Sequence, residues 1–460
     1  MIRHLIDKVF ARKTRLRPAG LGVAAMRYQR AHHHIERSEL SDAAIRCCEQ
    51  LQKAGHKAFI VGGAVRDLLL GRHPKDFDVA TDATPEQVRS LFRRSRIIGR
   101  RFRLVHVMFG QETIEVSTFR SAHVASSDEE SANTDEHGRL LRDNVYGTQA
   151  DDAIRRDFTM NALFYDPSAE EIWDFTNGFK DIEKKRVVMI GDPEARYRED
   201  PVRMLRAARL AGKLGFSIDA ATEQPIPALK SLLANVPEAR LFDEMLKLLL
   251  SGHALACIDK LRVLGLHVLL LPSLEEILSA PQSRAFATLA LQRTDERIND
   301  DRGVSPAFLF AALFWFPMCA RAKALEARGE RPLAALHQAM DEVLDEQRKS
   351  LAIPRRFDGN IKELWVAQSR FAQQSRAKAF RLLTHPRFRA CYDFYALRAE
   401  AGDASPEIAA WWEKFQFADD GVREAMLLPD SGPKKRRRGR KKTAAPTGGV
   451  PPAPDAESES

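Results

Sequence analysis

AFIVGGAVRDLLLGRHPKDFDVAT, residues 58–81, decides the fold. Its apolar run Phe59-Ile60-Val61 predicts a buried strand. Gly62-Gly63 breaks that run, and Ala64 to Leu70 predicts a short helix. A turn containing Pro74 follows, and Asp76-Phe77-Asp78-Val79 predicts a second strand. The helix starts just past the glycine pair, so its free N–H groups face whatever lies over the turn, a ready seat for phosphate. On a strand, residues two apart leave the same face roughly 6–7 Å apart. Asp76 and Asp78 therefore stand side by side, while Phe77 and Val79 turn into a core. Taken singly, a Gly-Gly turn is often only a turn, and an Asp-x-Asp strand only a solvated edge. Joined in one strand–turn–helix–strand unit, they supply a phosphate cradle beside aligned carboxylates, which is what metal-assisted nucleotidyl transfer requires.

Around this unit the chain has 460 residues, 44% apolar and 29% charged, the make-up of a soluble globular protein of two to four domains. No uninterrupted apolar run approaches the ~20 residues of a membrane span. The richest segment, Ala307 to Met318, predicts a buried helix. The basic N-terminus lacks the apolar centre of a secretory signal. Five cysteines (Cys47, Cys48, Cys257, Cys319, Cys391) form no CxxC pair and have no histidine at ligand spacing. Buried thiols in a reducing, cytoplasmic compartment are expected. The net charge of +9 is concentrated in one place: Lys434, Lys435, Arg436, Arg437, Arg438, Arg440, Lys441 and Lys442, without which the remainder is about +1. This run opens a low-complexity end predicted to be disordered and to contact a polyanion, RNA or DNA.

Taken in order, residues 1–38 read as an irregular basic extension, and the His32-His33-His34 run as no metal site. Ser41-Asp42 caps a predicted helix over Ala43 to Ala54, closed by Gly55. Thr84-Pro85-Glu86-Gln87 carries an N-cap, a first-turn proline and a capping-box Gln, predicting a helix to about Arg93. Arg103 to Phe109 and Thr113 to Phe119, separated by Gly110, predict a hairpin. Glu115 lies on one face of its second strand, available as a third carboxylate or simply solvated. Ser121 to Arg139 reads as a mobile loop. Asp151 to Leu163 reads as helical, with Arg155-Arg156-Asp157 in its middle. From about Val187 onwards the pattern is almost wholly helical. There Asp200-Pro201 is an N-cap and first-turn pair, and Arg203 lies one turn from Asp200. That pair is either a surface ion pair or a reader of a base edge. Trp411, Trp412 and Phe415 read as packing of the last helical layer.

Six segments then carry a resemblance: VGGAVRDLLLG (Val61 to Gly71), DFDVAT (Asp76 to Thr81), EVSTFR (Glu115 to Arg120), RRDFTMNAL (Arg155 to Leu163), EDPVRMLRAARLA (Glu199 to Ala211) and RLFDEMLKLL (Arg240 to Leu249). In this order they resemble the class II nucleotidyltransferase superfamily, which holds bacterial poly(A) polymerases and CCA-adding tRNA nucleotidyltransferases. The resemblance implies an α+β chain, a small mixed-sheet head followed by an all-helical neck, body and tail. The expected divisions are a head over 39–165, a base-recognising neck over 166–275, an RNA-binding body and tail over 276–430, and the basic end over 431–460. It further implies that Asp76 and Asp78 bind two Mg²⁺ with Glu115 as helper, and that Asp157 is essential to the active site. Arg155 and Arg156 would face the triphosphate of ATP, Asp200 and Arg203 its base, and Gly62, Gly63 and Arg66 would hold the phosphates.

The two branches share all six segments. IIGRRFRLVHV (Ile97 to Val107), LAIPRR (Leu351 to Arg356) and HPRFRACYDFYALRAE (His385 to Glu400) resemble the poly(A) polymerase branch, and the basic end fits an enzyme that accepts many RNA 3′ ends. The expected activity is template-independent addition of AMP from ATP to RNA 3′ ends. CCA addition to tRNA, or a noncatalytic RNA-binding scaffold, are the alternatives.

Overall fold

A computed structural model describes residues 24–99, 103–121, 145–351 and 353–427. The Ser121 to Arg139 loop, apart from Ser121, and the basic run from Lys434 to Lys442 lie outside the described residues.

Eight strands form one mixed sheet: β1 Met26–Gln29, β2 Ala58–Val61, β3 Asp78–Thr81, β4 Ser95–Ile98, β5 Leu104–Phe109, β6 Glu112–Thr118, β7 Leu163–Asp166 and β8 Glu171–Asp174. Their spatial order is β1-β8-β7-β2-β3-β6-β5-β4, so the strands of the opening stretch lie at the centre. All pairs are antiparallel except β3 with β6. All four residues of β2 are buried because both sheet faces are covered. Ala58 and Ile60 meet the main core, which includes Ala44, Cys48 and Leu51 of the Asp42–Lys53 helix. Phe59 and Val61 meet Phe119, Phe164 and Ile190 on the other face.

The predicted caps hold that frame. The Ser41 hydroxyl accepts from the Ala43 and Ala44 amides, and Thr84 and Gln87 close a capping box on Pro85–Leu91. The hairpin of β5 and β6 turns at Gly110, whose φ is +63°.

Three expectations are corrected. Met26–Gln29 is not irregular: it adds an edge strand along β8, with Arg27 lying over Trp173. The sheet thus draws a strand from each side of 39–165. Strand pairing in the opening unit begins at Asp78, so Asp76 sits on the approach to β3, although Phe77 is buried and both aspartates stay exposed as alternation requires. The third correction concerns 151–163. Its helix spans only Gln149–Arg155, a 3-10 turn follows at Thr159–Asn161, and Leu163 already belongs to β7.

Beyond the sheet the chain is helical, apart from a two-residue parallel pair, Arg186–Val187 with Ser217–Ile218. The Val202–Leu214 helix packs so closely on Ala254–Val263 that a Cβ at Gly212 would stand 2.6 Å from Cys257 Cα. Trp412 and Phe415 are fully buried, and Trp411 stacks on Phe415 at 4.5 Å. All five cysteines are free and four are buried. Among the described residues no single helix is long and apolar enough to cross a membrane; Pro306–Leu313 and Trp315–Ala327 are bent by 50° and bury Phe310, Phe314 and Met318.

Candidate active site

The cradle forms as its glycines dictate. Gly62 has φ +73° and ψ −127°, a backbone state that favours glycine. A Cβ there would lie 3.3 Å from Arg156 Nη1. The Gly63–Leu69 helix starts directly behind it. On that helix Arg66 is 6% exposed and held in place: it donates to Asn161 Oδ1 at 2.6 Å and pairs with Asp67 at 2.7 Å.

Asp78 opens β3 beside this turn. It stays in contact with solvent, yet protein surrounds its carboxyl on the inner side. Loss of solvation, then the nearby Glu115, then Asp76, push its pKa up to about 6 against the opposing pull of Arg156. Glu115 is the residue in register with Asp78 on the parallel strand β6. It stands 3.6 Å from His106 Nε2.

Asp157 lies past the end of the Gln149–Arg155 helix. Its Oδ1 accepts from the Phe158 amide at 2.8 Å and Asn161 Nδ2 at 3.2 Å. Its Oδ2 accepts from Arg206, at 2.6 Å from Nε and 2.5 Å from Nη2. Burial alone would raise this carboxyl's pKa, but Arg206, then the bonds from Asn161 and Phe158, hold it below the usual range. The helix before it ends at Arg155, with Arg156 in extended backbone, and Arg196, from the Pro193–Glu199 helix, donates to the carbonyls of Arg155 and Arg156, both at 2.6 Å. A cation on the last carbonyls is a stabilising C-terminal cap.

Head and neck face each other across a cleft of about 550 Å³. The head contributes Gly62, Gly63, Arg66, Asp78, Arg156 and Asp157. The neck contributes Asp200, Arg203, Arg206 and Arg209, then Arg240, Asp243 and Glu244 of the Glu238–Leu249 helix. Most of the expected residues thus meet in one place. Arg155 does not: it pairs with Asp152 at 3.1 Å, away from the cleft wall, while Arg156 pairs with Asp152 at 2.9 Å and reaches into it. Asp76 and Glu115 flank Asp78 without lining the cleft. Asp200 and Arg203 share a wall, and the Arg203 amide donates to the Asp200 carbonyl at 3.1 Å, but their side chains do not pair with each other. Asp200 Oδ2 accepts from Arg240 at 2.9 Å, and Arg203 Nη1 donates to Glu199 and to the Arg196 carbonyl, both at 2.7 Å.

Sequence reading missed Asn161, Arg196, Arg206, Arg209, Arg240, Asp243 and Glu244. A signal was present for part of this set. Arg203, Arg206 and Arg209 recur every third residue, so they share one side of a helix otherwise filled with Leu and Ala.

Among the described residues no group of three or more His, Cys, Asp or Glu side chains is gathered tightly enough to cage a metal ion. Asp78, crowded by Glu115 and Asp76, is a carboxylate that a divalent cation would relieve.

A glycine cradle and an acidic strand in a mixed-sheet head, closed by an arginine-bearing helical neck, define a nucleotidyltransferase. Similarity narrows this class. Residues 58–188 match the family described as "Poly A polymerase head domain", 215–278 "Probable RNA and SrmB- binding site of polymerase A", and 328–444 "Polymerase A arginine-rich C-terminus". Poly(A) polymerase I of Salmonella typhimurium is 44% identical over 426 residues, covering 91% of this chain and 92% of its own. That of Escherichia coli O6:H1 is 45% identical, covering 90% of each. The CCA-adding enzyme of Bacillus pumilus is 40% identical over only 45% of this chain and 49% of its own. Among solved structures, the Bacillus stearothermophilus CCA-adding enzyme in complex with CTP superposes with a TM-score of 0.53 at 28% identity, covering 80% of each chain. A tRNA nucleotidyltransferase complexed with a primer tRNA and an incoming ATP analog reaches 0.55 at 20% identity, over 82% of this chain and 99% of that one, a likeness of fold. The chain belongs to the bacterial poly(A) polymerase family.

Proposed function

We propose that the head–neck cleft adds AMP from ATP to RNA 3′ ends and releases pyrophosphate. The observation that carries this reading is the convergence of Gly62-Gly63, Asp78, Asp157 and a set of arginines on one cleft. The Gly62-Gly63 backbone, Arg66 and Arg156 hold the triphosphate of ATP, with Arg155 supporting Arg156 through their shared partner Asp152. Asp200 accepts from the adenine amino group and Arg203 donates to a ring nitrogen. Asp157 fixes Arg206 and Asn161, and through Asn161 it fixes Arg66. Asp76 and Asp78, with Glu115 beside them, hold two Mg²⁺. When bound, these ions neutralise phosphate charge and ease deprotonation of the RNA 3′-hydroxyl that attacks the α-phosphorus. Lys434 to Lys442 hold the RNA by its phosphates, and the enzyme works in the cytoplasm, where its five thiols stay reduced.

CCA addition is the competing activity. ATP and CTP, supplied separately to an oligoribonucleotide and to tRNA lacking its end, separate the two. Long AMP runs on the oligoribonucleotide are expected; efficient CTP incorporation into the tRNA would overturn the assignment.

A further inference from the structure

The ribbon carrying Asp157 and Asn161 has a second side. Its Thr159 faces a cavity of about 520 Å³, nearly the volume of the catalytic cleft and within the ~300–1,000 Å³ of ligand sites. Lys180 and Lys184 stand one turn apart on the Gly178–Glu183 helix and its first following residue, exposed on the cavity rim. Among the described residues neither makes an ion pair. Arg186 lines the same cavity, anchored by Asp181 at 3.0 Å and Asp219 at 3.1 Å. Two buried polar atoms on this wall, Thr176 Oγ1 and Arg186 Nε, have no hydrogen-bond partner. The lining also carries apolar side chains, among them Phe175 and the partly exposed Ile154.

We propose that this cavity is a second binding site for a nucleoside phosphate group, supplied either by free ATP or by a nucleotide of the RNA chain. Its phosphate sits between Lys180, Lys184 and Arg186, and its base lies against Phe175 and Ile154. The site is mechanically joined to the cleft. Ile190, on the cavity wall, donates its amide to the Asp157 carbonyl at 3.0 Å, and the Thr159 amide donates to Val188 at 3.0 Å. Occupancy braces the ribbon that holds Asp157 and Asn161 in the cleft. The inference goes beyond the AMP-transfer reading, and its test requires no turnover.

The full-length Lys180→Glu/Lys184→Glu protein is compared with the parent and with a charge-matched control, Arg46→Glu/Lys53→Glu, at exposed positions of the Asp42–Lys53 helix of the head. ATP stoichiometry by equilibrium dialysis, and oligoadenylate affinity across a salt series, are read on all three. If free ATP is the ligand, bound ATP falls from two per chain to one. If RNA is the ligand, oligoadenylate affinity falls about tenfold and the salt slope by about 1.4, at ~0.7 per single-strand phosphate contact. One ATP per chain in every protein, with oligoadenylate affinity and slope equal to the control, would overturn the proposal. Should the reversal lower the melting temperature, Lys180→Gln/Lys184→Gln gives the same readings.

Discussion

The two walls of the cleft are built by different means. The glycine end of the head wall is local: Gly62, Gly63, Arg66 and Asp78 lie within 17 consecutive residues, and a strand, a turn and a short helix place them. The neck wall is assembled from afar. Arg206 reaches 49 residues back to Asp157, Arg240 reaches 40 residues back to Asp200, and Arg209 holds Glu244 at 2.6 Å. The glycine end of the head wall places its groups chiefly with backbone geometry, whereas Arg156, Asp157 and the neck wall are held by ion pairs. Damage should therefore read differently on the two sides.

The largest effect on stability is expected from Arg206→Ala, which strands the Asp157 carboxylate. Breaking a buried pair costs ~3–5 kcal/mol, reduced to about 2–3 here because a third of the Arg206 side chain is open to solvent. Denaturant unfolding measures this, and Asp157→Asn in the same chain should recover part of the loss. Next comes Gly212→Ala, whose Cβ would meet the Cys257 backbone at 2.6 Å. The neck helices must part, costing about 1–3 kcal/mol in thermal unfolding. A smaller effect appears with pH. The Asp157 pKa is held down in the folded state, so its contribution is complete above the ordinary carboxylate value and is lost as pH falls through the lowered one. The parent should lose stability on acidification below about pH 4 more steeply than Asp157→Asn. Smallest is Ser41→Ala on the head side, which removes a cap to two amides for about 1 kcal/mol and leaves the cleft intact.

This contrast also explains what was legible in the sequence. The opening unit could be read because periodicity, a glycine pair and Asp-x-Asp spacing all act within a few residues. The caps at Ser41 and Thr84 were readable for the same reason. The end of the helix before Asp157 was not. No glycine or proline marks it, and the side chain that caps its carbonyls, Arg196, lies forty residues on. Without that contact, Arg155-Arg156-Asp157 continues a helical pattern, and Arg155 and Arg156 seem equivalent. In the fold Arg156 faces the cleft and Arg155 does not. The edge strand Met26–Gln29 was hidden because four mostly exposed residues show no alternation; its partner on β8 and the stacking of Tyr28 on Phe179 at 4.0 Å define it. Asp200 and Arg203 lie one turn apart, as the spacing predicts, but their partner Arg240 depends on how helices cross, which spacing within one helix does not encode.

The central claim, that the head wall carries the chemistry at Asp78, is tested most directly by AMP addition to an oligoribonucleotide by Asp78→Ala, measured beside its RNA affinity. Loss of at least ~1,000-fold in rate, equivalent to about 4 kcal/mol of barrier, with RNA affinity within twofold of the parent, is the predicted result. Polymerisation by Asp78→Ala at a rate near the parent's would contradict it.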